Sequence, residues 1–198
     1  MRIASREVLD LTLALEDRDG LPDALRILLD AYPRQGWTQD PGFDELIQFW
    51  LERHQMFRKL LATMTSETQA LLDDIAQAPH FAAATARYGG MFVNGLHEHH
   101  HVEDDFYFPR LRAKAPQIDR GFDILDKDHH ALDRHLSDFV STANDMLSVR
   151  DAPEKLKPAA DNFLTQLEVL TGLLNRHLID EEELIVPIIL KFGAPDLG

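Results

Sequence analysis

His99-His100-His101-Val102-Glu103-Asp104-Asp105-Phe106-Tyr107-Phe108-Pro109 and His177-Leu178-Ile179-Asp180-Glu181-Glu182-Glu183-Leu184-Ile185-Val186-Pro187 follow one pattern. In each, a histidine is followed four residues later by a glutamate, then by two more acidic residues, an apolar run and a proline. On an α-helix, positions i and i+4 lie one above the other on the same face, so each His-x-x-x-Glu pair converges on one point. Each proline stands ten residues past its histidine, where a kink or a helix end is expected.

Working outward from these stretches, prolines punctuate the chain at Pro33, Pro41, Pro79, Pro116, Pro153 and Pro158. Helix formers fill the intervals, with no alternating apolar pattern and no Asn-Gly hairpin. Four long helices are predicted, over about 43–78, 80–113, 120–149 and 159–190. Two short helices, over about 6–17 and 22–32, precede them. The expected organisation is therefore an all-α chain: an N-terminal helical extension over 1–40, an antiparallel four-helix bundle over 41–192, and a tail over 193–198.

Each long helix carries an apolar seam in steps of three and four. The first reads Phe43, Ile47, Trp50, His54, Phe57, Leu61, Met64, and the second Phe92, Leu96, His99, Glu103, Phe106. The third reads Phe122, Leu125, His129, Leu132, Leu136, Phe139, Ala143, Met146. The fourth reads Phe163, Leu167, Leu170, Leu174, His177, Glu181, Leu184, Ile188. A lone histidine on an apolar face is usually a core residue satisfied by a neighbour. Here every helix donates one, and two glutamates join them, although buried carboxylates are costly unless paired or bound to a metal. In an antiparallel bundle, residues equally far from a shared turn lie at one height. Glu103 and His129 are equidistant from Pro116, His129 and His177 from Pro153, and His54 mirrors Glu103 about Pro79 to within one residue. Seam and height agree on a core metal site.

One histidine on the first helix, His-x-x-x-Glu on the second, histidine on the third and His-x-x-x-Glu on the fourth resembles the hemerythrin family in its HHE cation-binding form. Leu125-Asp126-Lys127-Asp128-His129-His130-Ala131-Leu132-Asp133 and His54-Gln55-Met56-Phe57-Arg58 are similar to that family's third and first helices. The resemblance implies an up-down-up-down bundle around two iron ions, joined by an oxo or hydroxo bridge. By position, His54, His99, His129 and His177 would be terminal ligands, with Glu103 and Glu181 bridging. Oxygen-carrying members have His-x-x-x-His on the third helix and His-x-x-x-x-Asp on the fourth. Asp133 and Glu181 depart from that, as in bacterial HHE members, which argues against reversible oxygen transport.

His97 and His101 fall on a polar face of the second helix, and His130, His135 and His80 are also expected to be exposed. His100 lies at the seam's edge and is a candidate seventh ligand or hydrogen-bond donor; Asp133, one turn from His129, is a candidate ligand or hydrogen-bond partner. The acidic pairs Asp104-Asp105 and Glu182-Glu183 are expected to face solvent. Trp50, Phe57, Phe92, Phe106 and Phe139 are expected at one level, as a dry pocket suited to a gas. A ferritin-like site needs Glu-x-x-His on two helices, and only Glu98-x-x-His101 fits, facing the wrong way.

Composition narrows the chemistry. A net charge of −14 disfavours nucleic acid and an anionic membrane as partners. With no cysteine, a site must be built from histidine and carboxylate, which suits iron, manganese or zinc, and the resemblance selects iron. No signal peptide is visible, so a cytoplasmic location is expected. Two six-coordinate ions have about twelve positions, of which this ligand set and a bridge fill about ten. Room is left for dioxygen, nitric oxide or peroxide. Three readings stay open: a di-iron binder of small oxidants, with or without oxidase or peroxide-consuming activity; an iron or redox sensor or interaction protein; and an iron store or structural zinc bundle. Residues 1–40 leave a lid or a homodimer surface open.

Overall fold

The computed structural model describes residues 13–194. They are all-helical, consistent with a helical bundle, and six α-helices form among them. These are α1 (Ile27–Ala31), α2 (Glu45–Leu72), α3 (Ala78–Val102), α4 (Phe108–Lys114), α5 (Asp119–Ser148) and α6 (Pro153–Phe192). Short 3-10 turns occupy Asp23–Leu25, Arg34–Gln39 and Pro116–Ile118. Among the described residues no helix is long and apolar enough to cross a membrane.

Local chemistry accounts for the helix ends. Asp44 starts α2 by accepting a hydrogen bond from the Ile47 amide at 3.0 Å, which satisfies one of the donors a helix start leaves over. Asp74, at φ 60°, takes the left-handed conformation that closes the same stretch. Pro153 is the first residue of α6, where a missing amide hydrogen costs nothing, so this helix begins about six residues earlier than its prolines suggest.

A π-helical turn over Glu103–Tyr107 separates α3 from α4. Pro109 has no amide hydrogen for the carbonyl one turn back, and its ring would clash there in a regular helix. The wider turn absorbs one extra residue, and the Phe108 amide bonds back to the Glu103 carbonyl. Everything beyond it is rotated relative to a straight helix. Phe106, expected in the seam, is therefore 49% exposed, and Phe108 is buried in its place. Pro187, its counterpart in the second pattern, leaves α6 unbroken.

The N-terminal segment departs further from expectation. The predicted helix over 6–17 lies partly outside the described residues, and its described part forms turns, with the Asp17 amide bonded to the Ala14 carbonyl. The predicted helix over 22–32 is a 3-10 turn followed by the short α1.

The chain divides into two compact units. One gathers residues 13–54, 100–131 and 175–194. Its apolar core holds Trp37, Ile47, Trp50, Phe108, Phe122 and Ile188, and the N-terminal segment contributes Leu21, Leu25 and Leu28 to it. Gly42 is required there, because a Cβ would stand 2.7 Å from the Leu190 carbonyl oxygen, a backbone atom with little room to yield. The other unit gathers Gln55–His99 and Leu132–Leu174. Its core includes an aromatic chain in which Phe139 lies tilted on Phe163 at 5.4 Å, while Phe57 meets Phe92 at 6.2 Å and Phe92 meets Phe139 at 5.9 Å, both edge-on. Such edge-to-face pairs add to the burial of area itself.

Candidate metal centre

Within the first unit, α2 brings His54, α5 brings His129 and α6 brings His177 and Glu181, while His100 and Glu103 come from the end of α3 and the π-turn. All six are buried. The ligand atoms of His100, His129 and His177 lie within 4.8 Å of one another. A second grouping within this unit takes in His54, Glu103 and Glu181, again within 4.8 Å. His99 is half-buried and packs on the Phe57 ring at 5.3 Å.

The imidazoles share one orientation. His54 Nε2 stands 3.5 Å from Glu181 Oε2, His129 Nε2 3.5 Å from Glu103 Oε2, and His177 Nε2 3.4 Å from Glu181 Oε2. These separations are long for hydrogen bonds but ordinary for two atoms that ligate the same ion at roughly 2.1 Å each. His129 Nε2 and His177 Nε2 are buried without a hydrogen-bond partner among the described residues. The opposite nitrogens are held from behind. His54 Nδ1 lies 2.9 Å from Glu182 Oε1, His129 Nδ1 2.9 Å from Asp104 Oδ1, and His177 Nδ1 3.3 Å from Asp128 Oδ2. A carboxylate on Nδ1 fixes the tautomer that leaves the Nε2 lone pair available to a metal. Trp50 donates its indole N–H to Glu181 Oε1. His100 stacks on His129, with ring centroids 3.9 Å apart and planes 9° off parallel.

Electrostatics agree with this geometry. Burial, together with the neighbouring Glu181 charge, pushes the Glu103 carboxyl well above its usual range. Burial alone would pull His54 down, yet Glu181 and Glu182 outweigh it and hold the imidazole above its ordinary value. The same opposition, with Asp128 and Glu181 winning, puts His177 at about 9. Two adjoining buried carboxylates and several imidazoles thus compete for protons that a divalent cation would replace. At pH 7 the metal-free His177 carries a proton, so metal uptake is expected to release protons and to tighten as pH rises toward about 9. Calorimetric titration in two buffers of different ionisation enthalpy reads the proton count, and identical heats in both would contradict it.

The remaining expectations divide. His97 and His101 are exposed, as are His80 and His130, while His135 is partly buried. Asp133 is not brought to the cluster: its side chain is 54% exposed and stands 3.7 Å from the exposed His97. At that exposure solvent satisfies the carboxylate, and it needs no buried partner. Two of the acidic residues expected to face solvent do not. Glu182 is buried on His54, and Asp104 supports His129. They occupy equivalent places in the two opening patterns, directly after the inward glutamate, which was the available signal. Asp128, buried on His177, was missed as well, although it directly precedes His129 in the motif.

A chain whose described residues are helical, with buried groupings of histidine and glutamate, belongs to the class of cation-binding helical proteins. Its family follows from comparison with known proteins: residues 45–189 match the hemerythrin HHE cation-binding domain, and the chain belongs to that family. No curated protein and no solved structure matches it.

Proposed function

We propose that this chain is a di-iron protein that takes up a small oxidant, dioxygen, nitric oxide or peroxide, at the histidine and glutamate cluster. His54, His99, His129 and His177 would be terminal ligands, Glu103 and Glu181 would be shared between the ions, and His100 is the seventh ligand in place of Asp133. The observation that carries this reading is the paired support of three imidazoles: Asp104, Asp128 and Glu182 hold the Nδ1 atoms while each Nε2 turns to Glu103 or Glu181. That arrangement prepares nitrogen and oxygen donors for a transition metal. The up-down-up-down order of the family bundle, set between an N-terminal extension over 1–40 and a tail over 193–198, is part of the same proposal.

Bound iron would supply redox activity and coordination positions open to a small ligand. The protein's own contribution is placement. Trp50 orients Glu181 through one oxygen and leaves the other toward His54 and His177. Phe108, stacked 5.5 Å from His129, and Trp50, edge-on to Tyr107 at 4.9 Å, cover the cluster with apolar surface that excludes water.

Elemental analysis of protein made with iron available should give about two ions per chain, mainly iron. Its absorption spectrum should change on adding peroxide or nitric oxide. Zinc alone, with a spectrum silent to both reagents, would replace this reading with a structural bundle. An unresponsive iron-loaded spectrum would favour storage.

A further inference from the structure

The N-terminal segment reaches the cluster from outside the stretch that defines the family. Arg18 is buried and forks onto Asp128, with Nη1 on Oδ1 at 2.8 Å and Nη2 on Oδ2. Its Nε donates to Asp180 Oδ2 at 2.9 Å, and Asp180 Oδ1 also accepts the Leu21 amide at 3.1 Å. Asp128 Oδ2 is the atom that faces His177 Nδ1. Arg34 repeats the device: its Nη1 stands 2.6 Å from Glu182 Oε2, and the other oxygen of that carboxylate faces His54 Nδ1. In both cases an arginine from residues 13–44 holds a carboxylate that holds an imidazole.

Resting on the metal-site reading above, we propose that Arg18 and Arg34 are positioning residues, which fix His177 and His54 for metal binding through Asp128 and Glu182. A carboxylate with one oxygen on an imidazole can swing unless its other oxygen is anchored. A planar guanidinium anchors it in a defined plane, which a lysine ammonium does not. The segment before residue 45 is thereby part of the centre's construction, and a chain trimmed to the family domain would hold metal more weakly.

The test is anaerobic titration of the full-length chain with cobalt(II), whose visible bands report ligand geometry. Arg18→Lys and Arg34→Ala are compared with Arg26→Ala. Arg26 makes a 3.4 Å contact to Glu183 from the same segment, and no histidine contact to Glu183 is seen among the described residues. Loss of an outer partner of a ligating histidine costs roughly 10–100-fold in metal affinity, so about tenfold weakening with altered cobalt bands is expected for Arg18→Lys and Arg34→Ala. Arg26→Ala should match the parent. Arg34 is partly exposed, so its replacement leaves the fold intact if Arg18→Lys does not. An Asp128→Asn background separates positioning from general support, because there Arg18→Lys should add no further loss. Parental affinity and bands in folded Arg34→Ala and Arg18→Lys overturn this inference alone. A parent chain that binds no cobalt overturns the metal-site reading with it.

Discussion

Stripping the metal from the loaded protein should lower its melting midpoint by about 8–16 °C. The figure follows from mass action: a ligand at about a thousand times its dissociation constant stabilises the folded state by about 4 kcal/mol, and a chain of this size shifts by about 2–4 °C per kcal/mol. Without metal, Glu103 and Glu181 adjoin one another in a buried site, and each way of accommodating them by protonation, pairing or wetting costs folding free energy. The difference should widen with pH. The folded pKa of His177, at about 9, lies above the ordinary 6.5, so the stability it lends the metal-free chain is complete below about 6.5 and is lost as pH rises toward 9. Over the same interval the ion meets less competition from protons. The seams stay filled with Leu, Phe and Ile, so the metal-free chain should remain helical. Circular dichroism melts with and without chelator, at pH 6.5 and pH 8, measure both effects. Equal midpoints for verified metal-free and loaded protein would mean that these side chains form no buried metal site.

Helix seams were legible because period and polarity spoke together. In the third and fourth seams every residue from Phe122 to Met146 and from Phe163 to Ile188 is buried as its spacing requires. Phe106 failed for a local reason: spacing counts residues on a straight helix, and the π-turn before Pro109 shifts the face. The acidic residues behind the imidazoles failed for a different one. On their own helices Asp104 and Glu182 are about 100° from the inward glutamates, which reads as a solvent face. A neighbouring helix brings a histidine to that side, and single-helix periodicity contains nothing about neighbours. Arg18 was beyond reach altogether, since its partners lie 110 and 162 residues away. Long-range pairing of this kind leaves no local pattern.

The largest loss of metal should come from Glu181→Ala. Glu181 Oε2 faces His54 Nε2 on α2 at 3.5 Å and His177 Nε2 on α6 at 3.4 Å, so one carboxylate serves two helices. Its other oxygen is already fixed by Trp50, which leaves it little freedom to be replaced by a neighbour. On the di-iron reading proposed above, removing a shared ligand would weaken both ions together, and by more than the roughly 100-fold that an outer partner can cost. The chain should still fold, because alanine takes away a buried charge along with the contacts, and Leu184, Ile185 and Ile188 of the same helix stay in the apolar core. Three replacements on the exposed face set the scale. His97→Ala, His101→Ala and Asp133→Ala each remove at most an exposed ion pair, which is worth about 0–1 kcal/mol and touches no inward nitrogen. They should retain the parent's metal content. Elemental analysis after purification in limiting iron, with circular dichroism to confirm folding, compares the four. A folded Glu181→Ala chain with its full complement of iron would remove Glu181 from the centre. Metal loss in His97→Ala or Asp133→Ala instead would place the ions on the outer face of α3 and α5.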